Sequence, residues 1–184
     1  MEPVLTACGR LLLWGWESLY PLLVGARPIP GGSGVLHWVA GRHRGADVQL
    51  ADGRCVHSGA PILKLHVANV NTHRTLRRAG NGYAWAASAA IRQDLRALAH
   101  AADAGLLPEF ASLWGLTLFG PAARRYGFEI HPVPDTVIYR LLGTWQRALR
   151  AAFHPTRRLR RRSGQQLPSV PWMSREALLA RYRA

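Results

Sequence analysis

Few side chains in this 184-residue chain could do chemistry, and their spacing narrows which chemistry that would be. Eight histidines and two cysteines are the soft and borderline metal ligands, and ten carboxylates face 24 basic groups. Neither a His-Glu-x-x-His helix nor a Cys-x-x-Cys pair occurs, so the spacings that clamp zinc within one element are absent. His37, His57 and His66 fall on neighbouring predicted strands, but three strand histidines without a carboxylate beside them read as packing or surface residues. No metal is expected. There is no Gly-x-Ser-x-Gly elbow, and no Cys–His or Ser–His–Asp set can be assembled from local spacing. Cys8 and Cys55 allow at most one disulfide and nothing requires it, which fits reduced thiols in a cytoplasmic protein.

Two groupings carry more specific signals. Arg77-Arg78-Ala79-Gly80-Asn81-Gly82 fits Arg-x-x-Gly-x-Gly between a predicted strand and a long predicted helix. Backbone N–H groups at such a turn suit a pyrophosphate, which makes Arg77, Gly80 and Gly82 candidate cofactor-binding residues. The second grouping is cationic. The formal net charge is +14, and 23 of the 24 basic residues are arginine, Lys64 being the exception. Thirteen arginines against Glu129, Asp135 and Glu176 give +10 to residues 121–184, so the excess sits in the last third. Its centre is Arg140, Arg147 and Arg150 on one predicted helix and the run Arg157, Arg158, Arg160, Arg161 and Arg162. An amphipathic basic helix followed by an arginine run suits an anionic membrane surface or an anionic envelope polymer. The same run could neutralise nucleic-acid phosphates, although no helix-turn-helix, zinc-finger or RNA-binding aromatic motif accompanies it.

The elements that must position these groups read as α+β: a small, mostly antiparallel sheet of about six strands with a long central helix, an N-terminal amphipathic helix and C-terminal basic helices. One domain is expected. Residues 1–27 form an N-terminal helix, 28–154 the α+β core, 155–171 a basic linker and 172–184 a C-terminal helix. In the first helix, Val4 to Val24, Val4, Cys8, Leu11, Leu12, Leu19, Leu22 and Leu23 share one wide apolar face, with Thr6, Arg10 and Glu17 opposite. Trp14 falls on the polar side and is expected at a membrane or partner surface, or covered by other elements. Short strands follow at Val35–Ala40, Asp47–Leu50, Arg54–His57 and Ile62–Ala68. Hairpin turns are expected at Arg42–Gly45 and Asp52-Gly53. The helix Gly82–Ala104 ends on Gly105, a strand covers Leu113–Phe119, a short helix Pro121–Tyr126, and a strand Phe128–Val133. Thr136–His154 is amphipathic, and Ser174 caps a final helix over Arg175–Tyr182. No stretch approaches the ~20 apolar residues of a membrane span. Glu2 stands where a signal peptide would carry positive charge. The expected location is the cytoplasm, with peripheral attachment at the inner face of the membrane.

Two resemblances add to this reading. The Arg77–Gly82 turn, the strand and short helix that follow the long helix, and Tyr126-Gly127-Phe128 resemble the GNAT acyltransferases, which cradle acyl-coenzyme A on such a turn. Ala123 stands where that family carries its tyrosine general acid. The resemblance implies acetyl-coenzyme A as cofactor; without it no cofactor is expected. Over nearly the whole chain, from Arg10 to Tyr182, a series of blocks resembles the YkoP-like domain of bacterial proteins. The blocks are Leu12–Tyr20, Ile62–Asn69, Gly115–Leu118, Ala123–Glu129, His154-Pro155, and Trp172–Arg175 with Leu178, Leu179 and Tyr182. That resemblance implies an accessory domain in an envelope-polysaccharide or lipid context, associated with a polysaccharide deacetylase or glycosyltransferase, with no deacetylase activity of its own. If such a domain has a polar site, His66 and Asn69 are the candidates, the first on the Lys64 face of a central strand and the second at that strand's end. Trp172 is expected to anchor the last helix.

Overall fold

The computed structural model describes residues 7–77, 83–118, 120–153 and 167–183. The elements are α1 (Ala7–Leu23), β1 (Arg27–Pro28), β2 (Leu36–Arg42), β3 (Val48–Gln49), β4 (Cys55–Val56), β5 (Pro61–Val67), α2 (Asn69–Arg77), α3 (Tyr83–Asp103), β6 (Ser112–Trp114), α4 (Gly120–Ala123), β7 (Glu129–Pro132), α5 (Val137–Phe153), β8 (Ser169–Ser174) and α6 (Arg175–Tyr182). The fold is α+β. Six strands form one sheet in the order β1-β2-β5-β6-β8-β7, and β3-β4 form a separate hairpin. Only β5 and β6 pair in parallel, across the α2–α3 crossover; the other neighbours are antiparallel.

Local chemistry explains where the helices stop and start. Pro21 sits in the last turn of α1, and the chain leaves through Gly25 at φ +67. Ala26 N–H donates to Pro21 O at 2.7 Å and Gly25 N–H to Leu22 O at 3.3 Å, so glycine supplies the left-handed residue that satisfies both carbonyls. Gly105 closes α3 in the same way, with Leu106 N–H on Ala101 O at 2.9 Å. The Ser174 hydroxyl accepts from Ala177 N–H at 2.9 Å and caps α6 as its sequence predicts.

The register sorts side chains onto two faces of the sheet. Leu63, Leu113 and Met173 form one row across β5, β6 and β8 and are fully buried beneath Leu95, Leu98 and Ala99 of α3 and Leu178 of α6. On the opposite face Ile62 and Trp172 pack against Leu50 and Val56 of the hairpin. Trp172 therefore anchors the hairpin, with His43 edge-on at 5.2 Å, rather than α6. It is Met173, one residue on and facing the other way, that packs with Leu178.

Four expectations are corrected. Residues 69–77, read as the end of a strand and a loop, form α2: the segment is polar and has no apolar period, and its buried side is Thr72, set among α1, α3 and α5. The segment read as linker up to 171 contains the start of β8, an inner strand hidden by Pro171, which cannot donate to a ladder. The β6 ladder stops at Trp114↔Trp172, and Pro171 meets Gly115 only through its carbonyl, at 3.1 Å; pairing resumes at the Thr117↔Ser169 bridge. This interruption also splits the strand expected over Leu113–Phe119. Residues 42–45 do not turn a hairpin, because β2 pairs with β5 and not with β3. The Asp52-Gly53 turn is present as a three-residue loop. Leu50 N–H donates to Arg54 O at 2.8 Å, and Gly53 takes φ +85.

Candidate functional site

Period-two alternation places Lys64 and His66 on one face of β5, and the antiparallel register sets His37 of β2 directly opposite His66. Lys64 lies along Gly41, where a Cβ would stand 3.0 Å from its Cε, and its ammonium sits over the Trp114 ring at 5.9 Å. Helix α1 crosses the carboxyl end of this strand. Tyr20 stands edge-on to His66 at 5.8 Å, and one turn earlier Glu17 accepts from Asn69 Nδ2 at 2.7 Å. The result is a half-buried polar group of Glu17, Tyr20, His37, Lys64, His66 and Asn69 where β5 passes into α2.

The sequence candidates His66 and Asn69 are thus both brought against the same stretch of α1. Glu17 was placed opposite the apolar face of the first helix, and neither it nor Tyr20 was singled out as a site residue. The signal was there: a lone carboxylate in an apolar helix, three residues before a tyrosine, shares its face with that tyrosine.

Burial sets the protonation of the group. It holds the His66 imidazole below the ordinary value near 6.5, with the charges of Lys64 and His37 pushing the same way. Burial lowers His37 also, against the opposing charge of Asp94. Glu17 is raised by burial despite its bond from Asn69, and Tyr20 is raised by burial and by Glu17. The site therefore offers a neutral imidazole as proton acceptor beside an ammonium and a carboxylate that retains its proton more readily than usual. One consequence concerns stability. Because the unfolded chain binds protons at His66 and His37 more readily than the fold does, stability falls as pH drops through 6.5. Glu17 acts in the opposite sense, from above 4.5 downward. In His66→Gln the loss of melting temperature between about pH 7.5 and 5.5 should be smaller than in the native chain. An equal or larger loss would mean that His66 is not held neutral.

The second grouping lies on the outer side of the same helix. The inward stripe of α1 is the buried Leu13 with the half-buried Glu17 and Tyr20, and Leu12, Trp16, Leu19, Leu22 and Leu23 face outward, Leu12 and Leu22 being 76% and 77% exposed. The sequence set the leucines and Glu17 on opposite faces of this helix, and the packing turns the Glu17 face inward. Trp14 is half-buried, edge-on to His73 of α2 at 5.4 Å. The tryptophan that α1 turns to the surface is Trp16, which meets Trp145 of α5 edge-on at 6.3 Å. Helix α5 adds the exposed Val137, Ile138, Leu141 and Trp145, and its Gln146 donates to Leu116 O at 3.0 Å to fix it over the sheet. Two helices thus share an exposed apolar face with a tryptophan pair at its seam.

Of the cationic candidates, Arg140 and Arg147 lie on the flank of the α5 stripe. Arg140 is held by both oxygens of Asp135 at 2.7 Å, and Arg147 donates to Thr144 Oγ1 at 2.8 Å. Arg150 lies on the last turn of α5, and Arg157, Arg158, Arg160, Arg161 and Arg162 fall outside the described residues. Arg77 is the last residue of α2, while Gly80 and Gly82 are outside the described residues. Among the described residues no helix is long and apolar enough to cross a membrane.

No curated protein and no solved structure matches the chain. The model of the YkoP domain family matches residues 9–182, which takes in α1 with both its faces, the polar group at the end of β5 and the closing α6. The chain belongs to the YkoP domain family.

Proposed function

We propose that this is a bacterial accessory domain of envelope-polysaccharide or lipid processes that docks peripherally on an anionic lipid surface. The observation that carries the reading is the outward leucine and tryptophan face of α1, continued by Val137, Ile138, Leu141 and Trp145 of α5 and flanked by arginines. An apolar stripe inserts its side chains at the level of the lipid head groups, where tryptophan is favoured, and an arginine beside it that has no carboxylate partner contributes about 1 kcal/mol near an anionic surface. An enzyme such as a polysaccharide deacetylase or glycosyltransferase would be the partner held there. The full chain should co-sediment with phosphatidylglycerol vesicles at low ionic strength. Binding should weaken at about 0.5 M salt, where the Debye length is under about 5 Å, and should be weaker on phosphatidylcholine alone. No binding to the anionic vesicles, or a stable dimer that covers Trp16, would overturn the reading.

A second reading, a GNAT-like N-acyltransferase using acetyl-coenzyme A, is favoured by one observation. The parallel strands β5 and β6 are joined by the α2–α3 crossover and pair only as far as Lys64↔Trp114, while β5 runs on to Val67. Helix α2 stands between that strand end and Gly80, so the strand does not lead straight into the glycine turn. This reading expects thermal stabilisation by millimolar acetyl-coenzyme A that disappears in Gly80→Glu; no shift with the native chain removes it.

A further inference from the structure

The β3-β4 hairpin carries a second cluster, unconnected with the lipid-facing surface. Its register sets Val48 opposite Val56 and Gln49 opposite Cys55. Val56 is buried and Val48 packs beside it, so the alternate residues Asp47, Cys55 and His57 project together from the outer side. His57 Nδ1 lies 2.7 Å from Asp47 Oδ2 and 3.7 Å from Cys55 Sγ, and one donor atom from each residue falls within 4.8 Å of the others. The second carboxylate oxygen, Asp47 Oδ1, is held by Ser58 N–H at 2.9 Å, which leaves Oδ2 turned toward the other two.

The convergence decides between two chemistries. In a thiol–imidazole–carboxylate relay, thiol and carboxylate address different ring nitrogens. Here both address Nδ1, and three donors meet around one point. Tetrahedral zinc with one sulfur, one nitrogen and one oxygen ligand needs donor separations of about 3.4–3.6 Å. The cluster reaches these by small side-chain rotations on an exposed hairpin. Ligands from the two arms of the hairpin also explain why no spacing motif appears along the chain.

We propose that Asp47, Cys55 and His57 form a three-ligand site for a zinc-class divalent cation, with a fourth position open to water or to a ligand atom of a partner. Loading releases the Cys55 thiol proton to solvent. The His57 proton moves through solvent from Nδ1 to Nε2, freeing the Nδ1 lone pair.

Titrating the full chain with cobalt(II) should produce a near-ultraviolet thiolate charge-transfer band at one equivalent. Cys8→Ser should keep that band and Cys55→Ser should lose it. Zinc(II) calorimetry on His57→Gln should show affinity reduced at least about tenfold, with the melting temperature of the metal-free protein unchanged because the three groups are exposed. Absence of the band in the native chain, its survival in Cys55→Ser, or unchanged zinc affinity in His57→Gln would overturn the site.

Discussion

Asp94→Asn is expected to lower the melting temperature by about 5–12 °C, nearly as much as Asp94→Ala. Asp94 is fully buried on α3, 0% exposed, and it ties the helix to the loop that leads into β2. One oxygen accepts from Ser33 N–H and the other from Leu36 N–H, the latter at 2.7 Å. Both partners are backbone donors, so both positions must be acceptors. An amide keeps the shape but must turn its NH2 toward one of the two N–H groups, leaving a buried donor facing a donor. Hydrogen bonds to a buried charged group and the unmet groups left behind are together worth about 2–4 kcal/mol. In a domain of this size each kcal/mol moves the midpoint by about 2–4 °C. Gly32 belongs to the same arrangement, because a Cβ there would stand 2.6 Å from Asp94 Oδ1. Thermal denaturation of both variants checks the account, and an Asp94→Asn midpoint within about 2 °C of the native value would sink it.

The triple variant Leu12→Gln, Leu19→Gln, Leu23→Gln is expected to bind anionic vesicles at least about 100-fold more weakly while melting within about 2 °C of the native chain. All three leucines are exposed, and glutamine matches leucine in helix propensity, so the free protein loses little. A leucine moved fully out of water is worth about 1.5–3 kcal/mol, and three of them inserted even partly exceed the 2.8 kcal/mol that a hundredfold change requires. The two readouts must diverge. If the leucine face were covered within the fold, each truncation would cost stability at about the scale of a core substitution, 2–5 kcal/mol, and the melting temperature would collapse. Vesicle binding that survives the triple variant would refute the docking face.

The sequence was most legible where a few neighbouring residues decide the outcome. Gly105 closes α3, Ser174 opens α6, and the turn at Asp52-Gly53 falls where its residues place it, since caps and tight turns are made within about four residues. His66 and Asn69 could be singled out because strand alternation and the strand's end are local properties. Their partners Glu17 and Tyr20 could not, since they lie some 50 residues away and meet them only when α1 crosses β5.

The sequence by itself determined the α+β class, the amphipathic character of α1 and α5, the family, and the concentration of arginine in the last third of the chain. Only the tertiary structure decided which way α1 turns its faces, that β8 enters the sheet despite Pro171, and that Asp47, Cys55 and His57 converge. The reason is common to all three. Periodicity fixes the angle between faces of one element, but which face is covered depends on what other elements arrive against it. Trp114 pairs with Trp172, Glu17 meets Asn69, and Trp172 covers the Val56 side of the hairpin, all through packing between segments far apart in the chain.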